Sequence, residues 1–347
     1  MRILIARESG GWGDVLCTLF AARGLRLAHP DAHISYFCMR PFDAFLRVVA
    51  PDINRVIPFG ETDGEPPRRV RPRRRAMNQP VDLAAYGLRG RYDLVVDCWC
   101  PADREERATA GRARRSRIEA FCDAAGVACP PVPRLARPPA AMAAAARVLA
   151  EFRPAGRPTV LIQPRSARVT KNWPAGHVAR LVDLLKARGV VPFSVGVDGS
   201  GVAGLPHVMG LSHVQVAAVA ASVDCIVAPD SGLFHLAAFV ATPCVAIFGP
   251  TDPRQYVRHY PLARFLWRPE AFAGRCGIPC LYLPENGFPP QGMCLEEGAC
   301  MAAVEPQAAA EAVMEILERG SGVLGLRASA PSSPLPSPKT PSPKPPV

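Results

Sequence analysis

Three polar segments of this chain each stand where an apolar strand gives way to a helix, and each carries side chains able to do chemistry. The first is Asp230-Ser231-Gly232, which follows the apolar run 225–228 and precedes an apolar helix at 233–240. An Asp or Ser at such a point caps the first helical turn, and the free N–H groups of that turn attract anions. The segment therefore predicts that a phosphate or carboxylate binds at a helix N-terminus.

The second segment is the glycine-rich turn 9–14, which follows a predicted strand at 2–6 and ends in Asp14. A dinucleotide-binding fingerprint would need a glycine at position 16, where Leu16 stands, and a carboxylate after the second strand, where Met39-Arg40 stand. The turn is instead expected to bring backbone close to a ligand and to place Asp14 at the carboxyl edge of the sheet. From the residues alone, Asp14 is either a reactive carboxylate or the cap of its helix.

The third segment, residues 164–174, lies between a predicted strand at 159–163 and a predicted helix at 175–188, and includes Ser166, Lys171 and Trp173. A single lysine is usually a solvated charge. Lys171 is nevertheless one of only two lysines before residue 339 in a chain whose basic charge is nearly all arginine. A further acidic residue, Asp198, follows the predicted strand 190–195.

The strands and helices alternate, which predicts an α/β protein of doubly wound parallel sheets. A length of 347 residues fits two domains of roughly 150 residues each. We place an N-terminal domain at 1–153, a C-terminal domain at 158–320 and a disordered Pro/Ser-rich tail at 321–347. Residues 60–91 are polar and rich in Pro and Arg, and we expect a mobile loop there.

Four late cysteines, Cys276, Cys280, Cys294 and Cys300, form the pattern C-x3-C-x13-C-x5-C. The first pair has a spacing typical of zinc sites and the second is loose. Two interpretations stay open: a structural zinc or iron site, or four reduced cysteines packed in a loop. The other eight cysteines are expected to be small buried hydrophobes rather than a disulfide framework, because no export signal is apparent.

The formal net charge is +11, with its densest basic patch at residues 68–75. Such a patch can meet an anionic membrane surface, whereas nucleic acid is not expected because no aromatic residues interleave with the arginines. No apolar run approaches the ~18 residues of a membrane helix. The expected location is therefore the cytoplasm, with peripheral contact at the inner face of the membrane.

The sequences of these segments resemble the motifs of glycosyltransferase family 9, the ADP-heptose:lipopolysaccharide heptosyltransferases. Its pattern D-[ST]-G-x-x-H-x-A-A followed by T-P and F-G-P-T-D-P is matched across residues 230–253. The segments Gly13-Asp14-Val15-Leu16 and Lys171-Asn172-Trp173-Pro174 match two further motifs, so the resemblance runs from residue 1 to about 318.

This resemblance implies a GT-B fold, in which two Rossmann-like domains face each other across a cleft. It implies an inverting transfer of heptose from ADP-heptose to lipopolysaccharide core or another glycan, with Asp14 as the catalytic base. Lys171, Ser166 and the amides of Ser231 and Gly232 would hold the donor diphosphate.

The remaining residues receive supporting roles from the same resemblance. Asp198 would bind the ribose, His235 would fix the turn of Asp230, and Gly11 and Gly13 would form the acceptor-side loop. No cofactor is required for this chemistry, although one branch of the family holds iron with a nearby cysteine cluster.

Two other functions remain open. One is a different GT-B enzyme, such as a nucleotide-sugar epimerase or a protein glycosyltransferase. The other is a non-catalytic sugar-nucleotide-binding or assembly protein, against which the presence of both Asp14 and Lys171 argues.

Overall fold

The structure is a computed structural model that describes residues 1–7, 10–40, 42–58, 81–98, 116–152, 156–272, 294 and 298–327. Its strands are β1 Arg2–Arg7, β2 His33–Cys38, β3 Arg55–Pro58, β4 Leu94–Asp97, β5 Thr159–Ile162, β6 Val191–Gly196, β7 His207–Met209, β8 Cys225–Pro229, β9 Cys244–Ile247 and β10 Ala263–Leu266. Its helices are α1 Trp12–Ala28, α2 Phe42–Val49, α3 Arg117–Ala124, α4 Pro139–Phe152, α5 Ala175–Ala187, α6 His213–Ala220, α7 Gly232–Val240, α8 Ala299–Ala302 and α9 Pro306–Arg327.

The described strands form two sheets in which every pair is parallel. The first has the order β3-β2-β1-β4 and the second β10-β9-β8-β5-β6-β7. Continuous apolar runs such as Ile3-Leu4-Ile5-Ala6 and Cys225-Ile226-Val227-Ala228 are fully buried, as expected for strands covered on both faces. The predicted α/β class with doubly wound parallel sheets is confirmed.

Each sheet has one point at which the strand order reverses, and ligands bind outside the carboxyl ends of the strands at such points. In the first sheet the reversal lies between β1 and β4, and in the second between β5 and β8. The three polar segments follow β1, β5 and β8. The topology therefore gathers all three at the two switch points.

Helices join the two sheet layers. Helix α1 packs against α7 of the second layer as well as against α3. Helix α4 packs against α6, and Phe152 at its end stacks on Phe193 of β6 with ring centroids 5.2 Å apart. Helix α4 precedes the domain boundary that we propose at residue 153, and it lies against the second sheet's helical layer. The division into domains stays a prediction.

The expectation of a mobile loop over 60–91 is wrong for its last part. Residues 81–91 are ordered in turns, and Val81, Tyr86 and Leu88 are buried beside Leu4, Phe37 and Ile57. The segment is polar and Pro-rich overall, but these three apolar side chains pack together on one face of the first sheet. The Arg-rich patch at 68–75 lies outside the described residues.

Helix α9 runs to Arg327, so residues 321–327, predicted to be tail, are helical. The rest of the predicted tail, 328–347, lies outside the described residues. None of the helices in the described part of the chain combines the length and hydropathy that a membrane crossing needs.

We expect Leu88→Ala to lower the free energy of unfolding by 2–5 kcal/mol, the usual cost of a cavity left by a buried leucine. The matched change Val48→Ala removes a side chain that is 46% exposed, and should cost much less. Urea denaturation of the full chain measures both. Equal, small losses would contradict the packing of residues 81–98 on the first sheet.

Candidate active site

Asp14 lies in the first turn of α1, where its carboxylate has three partners. Its Oδ2 accepts the N–H of Gly11 at 2.8 Å, which is the helix-capping contact. Its Oδ1 lies 3.1 Å from Nη2 of Arg7 and 2.5 Å from Nη1 of Arg117. Asp14 therefore caps its helix and forms ion pairs at the same time, so the geometry is compatible with a role beyond helix capping.

The two arginines set the charge of Asp14. Burial raises the pKa of this carboxyl group, but Arg7, Arg117 and the Gly11 N–H outweigh burial and lower its pKa to about 2. Asp14 is therefore an ionised carboxylate throughout the physiological range. Arg7 is itself buried, donates to the carbonyl of Cys98 and lies over the ring of Phe121.

The N-terminus of α1 faces the N-terminus of α7 at very short range. A Cβ atom at Gly13 would lie 2.5 Å from Cδ2 of His235, and one at Gly232 would lie 3.1 Å from Cβ of Trp12. Contacts under 3.0 Å are sterically forbidden, so any side chain at position 13 would displace His235 or α1. Glycine at 13 is thus needed for the close approach of the two helix ends.

Three charged side chains meet at the start of α7, and we call them the Lys171–Asp230–His235 triad. Asp230 and His235 are buried and Lys171 is half-buried. Lys171 Nζ lies 2.6 Å from Asp230 Oδ2, and His235 Nε2 lies 3.6 Å from Asp230 Oδ1. Asp230 and His235 are 6% and 5% exposed. Burial raises the pKa of Asp230, yet Lys171 and His235 hold it well below its usual range.

His235 is held from its other side by two groups. Its Nδ1 lies 2.8 Å from the Tyr260 hydroxyl and 3.5 Å from the Cys17 sulfur. Burial lowers the pKa of His235, but Cys17 and Asp230 together outweigh burial and raise its pKa to about 9. With Lys171 and His235 both cationic and Asp230 anionic, the triad carries one net positive charge at neutral pH.

The other predicted donor-site residues lie around the triad. Ser231 is the N-cap residue of α7 but does not cap it through its side chain, because its hydroxyl donates to Oε1 of Gln163 at 2.6 Å. The expectation of side-chain capping by Ser231 is therefore wrong. Ser166 uses its hydroxyl within its own loop, bonding to the backbone of Arg168.

Asp198 is exposed, in the loop after β6. Among the contacts of the described residues, none joins its side chain to the triad. Arg165 ties the two loops together, since its Nη2 donates to the carbonyl of Gly199 at 2.6 Å. A cavity of about 520 Å³ opens between these loops, lined among others by Arg165, Thr170 and Ser200.

The predicted cysteine metal site is only partly within the described residues. Cys276 and Cys280 lie outside them. Cys294 accepts the N–H of Gly298 at 3.2 Å, and buried Cys300 packs near Gly249. No cluster of three or more metal-ligating side chains occurs among the described residues.

Sequence reasoning missed several residues of this site, all of them partners of predicted ones: Arg7, Arg117, Gln163, Cys17 and Tyr260. Arg7 and Gln163 each stand at the carboxyl end of a central strand, a position that could have marked them. Arg117 and Tyr260 carry no such signal, because they reach the site from elements distant in the chain.

Several solved glycosyltransferase structures align with this chain, which has their GT-B fold. ADP-heptose lipopolysaccharide heptosyltransferase II of E. coli aligns with a TM-score of 0.63 at 18% identity, over 92% of this chain and 100% of that one. A family 9 glycosyltransferase of Veillonella parvula aligns with a TM-score of 0.65 at 16% identity, over 92% and 97%. The iron-containing dodecameric glycosyltransferase TibC of enterotoxigenic E. coli aligns with a TM-score of 0.61 at 16% identity, over 92% of this chain and 76% of that one. At these identities the likeness concerns the fold alone.

The sequence points to one family within that fold. Residues 115–270 match the family model described as glycosyltransferase family 9 (heptosyltransferase), which confirms the resemblance drawn from the motifs. Lipopolysaccharide heptosyltransferase 1 of Pseudomonas aeruginosa is 32% identical over 108 residues, which covers 28% of this chain. The match spans only 30% of that relative's length.

The raised pKa of His235 predicts a pH-dependent stability. A group whose folded pKa lies above its unfolded value of about 6.5 contributes stability fully below that value and loses it as pH rises through about 9. We expect the unfolding free energy to fall by about 3 kcal/mol over this window through His235.

Denaturation of the wild type, His235→Gln and His33→Gln at several pH values measures this dependence. The change at the exposed His33 should preserve the wild-type slope, whereas His235→Gln should flatten it. Parallel slopes for all three proteins would show that His235 is neutral in the fold.

Proposed function

We propose that this protein is an inverting glycosyltransferase that moves heptose from ADP-heptose to a cell-envelope glycan such as lipopolysaccharide core. The observation that carries the proposal is the juxtaposition of an ionised Asp14 with the positively charged triad across two facing helix N-termini. The family match and the GT-B fold support it. We take the donor and the acceptor from the names of the similar proteins, which mention ADP-heptose and lipopolysaccharide.

The donor diphosphate would lie at the N-terminus of α7. The amides of Ser231 and Gly232 belong to this turn, and Lys171 and His235 place positive charge directly behind it. Negative charge accumulates on the diphosphate as the glycosidic bond breaks, so preorganised donors there stabilise the transition state. This arrangement performs the task that a metal ion performs in other transferases, and the proposed chemistry requires no cofactor.

The nucleoside would lie in the cavity between the loops of residues 164–174 and 198–202. The cavity adjoins the loop that carries Lys171, and its lining includes Ser200, which follows Asp198 by two residues. A carboxylate at that point suits ribose hydroxyls. Phosphate and nucleoside would thus meet different parts of the same loop.

Asp14 would take the proton of the acceptor hydroxyl. A carboxylate with a pKa of about 2 is a weak base, so the transfer must come late, when the attacking oxygen already bonds to the anomeric carbon and its proton has become strongly acidic. Arg7 and Arg117 then keep the carboxylate oriented. Gly11 has space around its α carbon and would leave room for the acceptor, whereas Gly13 permits the close approach of the two helix ends.

Two further proposals concern the location of the protein and a structural metal. We place the protein in the cytoplasm, with peripheral contact at the inner face of the membrane through the basic residues 68–75. The four late cysteines would hold a structural zinc or iron, a proposal that rests on their spacing and on no contact among the described residues.

The direct test is to incubate the full chain with ADP-heptose and cell-envelope acceptors and to measure ADP release. Release that depends on the acceptor supports the transferase. Release or sugar isomerisation without an acceptor would favour a hydrolase or the epimerase, and donor binding without turnover would favour a non-catalytic binding protein.

Asp14→Asn should lower turnover by at least about 100-fold while donor binding persists, because the variant lacks a proton acceptor. Asp43→Asn is the matched control, since Asp43 also lies in the first turn of a helix, α2, and no described ion pair joins it to the triad, Arg7 or Arg117. Steady-state kinetics measure both. Near-normal turnover of Asp14→Asn would leave Asp14 as a cap and ion-pair partner only.

Lys171→Ala should weaken ADP binding about tenfold or more and leave adenosine binding nearly unchanged, because its ammonium would bind the phosphates and not the nucleoside. Lys186→Ala, at a lysine that bonds to the Gly204 carbonyl instead, should change neither. Calorimetric titration with both ligands gives the comparison. Equal losses for ADP and adenosine would remove Lys171 from the phosphate site.

A further inference from the structure

The first turn of α3 decides where the Arg117 guanidinium lies. Arg117 is the first residue of this helix, is buried, and has Nη1 2.5 Å from Oδ1 of Asp14. Helix ends fray unless their backbone groups are satisfied, and a side chain at the first position moves with the helix end. Whatever fixes the start of α3 therefore also fixes a cation that orients Asp14.

A capping box fixes the start of α3. The Ser116 hydroxyl accepts the N–H of Glu119 at 2.9 Å, and the Glu119 carboxylate accepts the N–H of Ser116 at 3.1 Å. These two bonds satisfy backbone donors for which the first helical turn offers no intrahelical partner. The box persists only while both side chains keep their orientation.

His259, in the segment between β9 and β10 of the second layer, contacts both side chains of this box. Its Nε2 lies 2.9 Å from Oγ of Ser116 and 3.4 Å from Oε1 of Glu119. A carboxylate accepts hydrogen bonds and cannot donate them, so a proton on Nε2 suits both oxygens. The side chain is 10% exposed, and its ring meets Phe20 of α1 edge to face with centroids 5.8 Å apart. The donor is therefore held in place.

The preceding residue, Arg258, reaches the same carboxylate in a different way. Its Nη1 lies 3.9 Å from Oε1 of Glu119, but its side chain is 84% exposed. An exposed ion pair at that distance contributes little, because water screens it and the long side chain loses conformational entropy. Of the two contacts from this segment to Glu119, the one from His259 is the better placed to hold the box.

The residue after His259 belongs to the donor side. The Tyr260 hydroxyl lies 2.8 Å from Nδ1 of His235, a member of the triad. Phe20 contacts both neighbours, with ring centroids 5.8 Å from His259 and 6.4 Å from Tyr260. Two consecutive residues thus contact the two halves of the site, one through the capping box of α3 and one directly at the triad.

We propose that His259 is a positioning residue for the sugar transfer. By holding Ser116 and Glu119 it fixes the first turn of α3, and Arg117 in turn keeps Asp14 aimed at the acceptor hydroxyl. His259 itself touches neither substrate. The inference rests on the proposed function and adds to it a residue of the second layer that acts on the acceptor side.

The test compares two substitutions that place a donor differently. His259→Gln keeps an N–H donor at about the position of Nε2, whereas the shorter side chain of His259→Asn does not reach the box. His259→Asn should lower kcat about tenfold and leave the Kd for ADP unchanged, because a small displacement of a reacting group slows the reaction. His259→Gln should restore most of kcat. Steady-state kinetics and calorimetric titration measure the two quantities.

Arg258→Ala is the matched control, since it removes the exposed contact to the same carboxylate and should leave kcat unchanged. A double-mutant cycle with Arg117→Gln tests the route of the effect. If His259 acts through Arg117, His259→Asn should lower kcat no further in the Arg117→Gln background. Effects that multiply in the double variant would overturn the proposal.

Amide hydrogen exchange of a peptide covering residues 116–124 gives a readout that needs no substrate. His259→Asn should speed exchange there and His259→Gln should not, while a peptide covering 175–187 stays unchanged and reports that the chain is folded. Equal kcat for the wild type and His259→Asn, or a loss that His259→Gln does not restore, would overturn the role of His259 and leave the transferase standing. A wild type that transfers no sugar would overturn the proposed function and this role with it.

Discussion

The close meeting of two helix N-termini is the constraint on which the rest of the site depends. Helices α1 and α7 come from different sheets, and their first turns approach so closely that residue 13 has no room for a Cβ atom beside His235. This approach brings the Asp14 carboxylate and the anion-attracting turn of α7 to one place. A wider separation would leave two unrelated half-sites, one with a carboxylate and one with a phosphate cradle.

Each side of that contact holds a carboxylate that is largely withdrawn from water and needs a local counter-charge. Asp14 is matched by Arg7 and Arg117, and Asp230 by Lys171 and His235. Because each carboxylate has two cationic partners, it keeps one counter-charge if the other is removed. These ion pairs explain why Asp14 and Asp230 both remain ionised although they are largely withdrawn from water.

The segment 256–260 links the site to the rest of the molecule. Tyr260 bonds to His235 of the triad, while the preceding His259 lies against Cys129, Ser116 and Glu119 of the other layer. The rings of Tyr256 and Tyr260 are stacked with their centroids 5.8 Å apart, and this contact stabilises the conformation of the segment. The triad is therefore connected to the other layer through one short piece of chain.

The sequence by itself determined the strands, the order of the elements and the three polar segments, because apolar runs and capping residues are local signals. The position of Asp230-Ser231-Gly232 after β8 predicted an anion site there, and the family resemblance added Asp14 and Lys171 to it. Only the tertiary structure decided which partners these residues have. Arg117 and Tyr260 reach the site from more than 100 and about 25 residues away, through packing angles that no local pattern encodes. The same is true of residues 81–91, whose three apolar side chains acquire meaning only against the face of the first sheet, and of Ser231, whose hydroxyl turns from its own helix to Gln163.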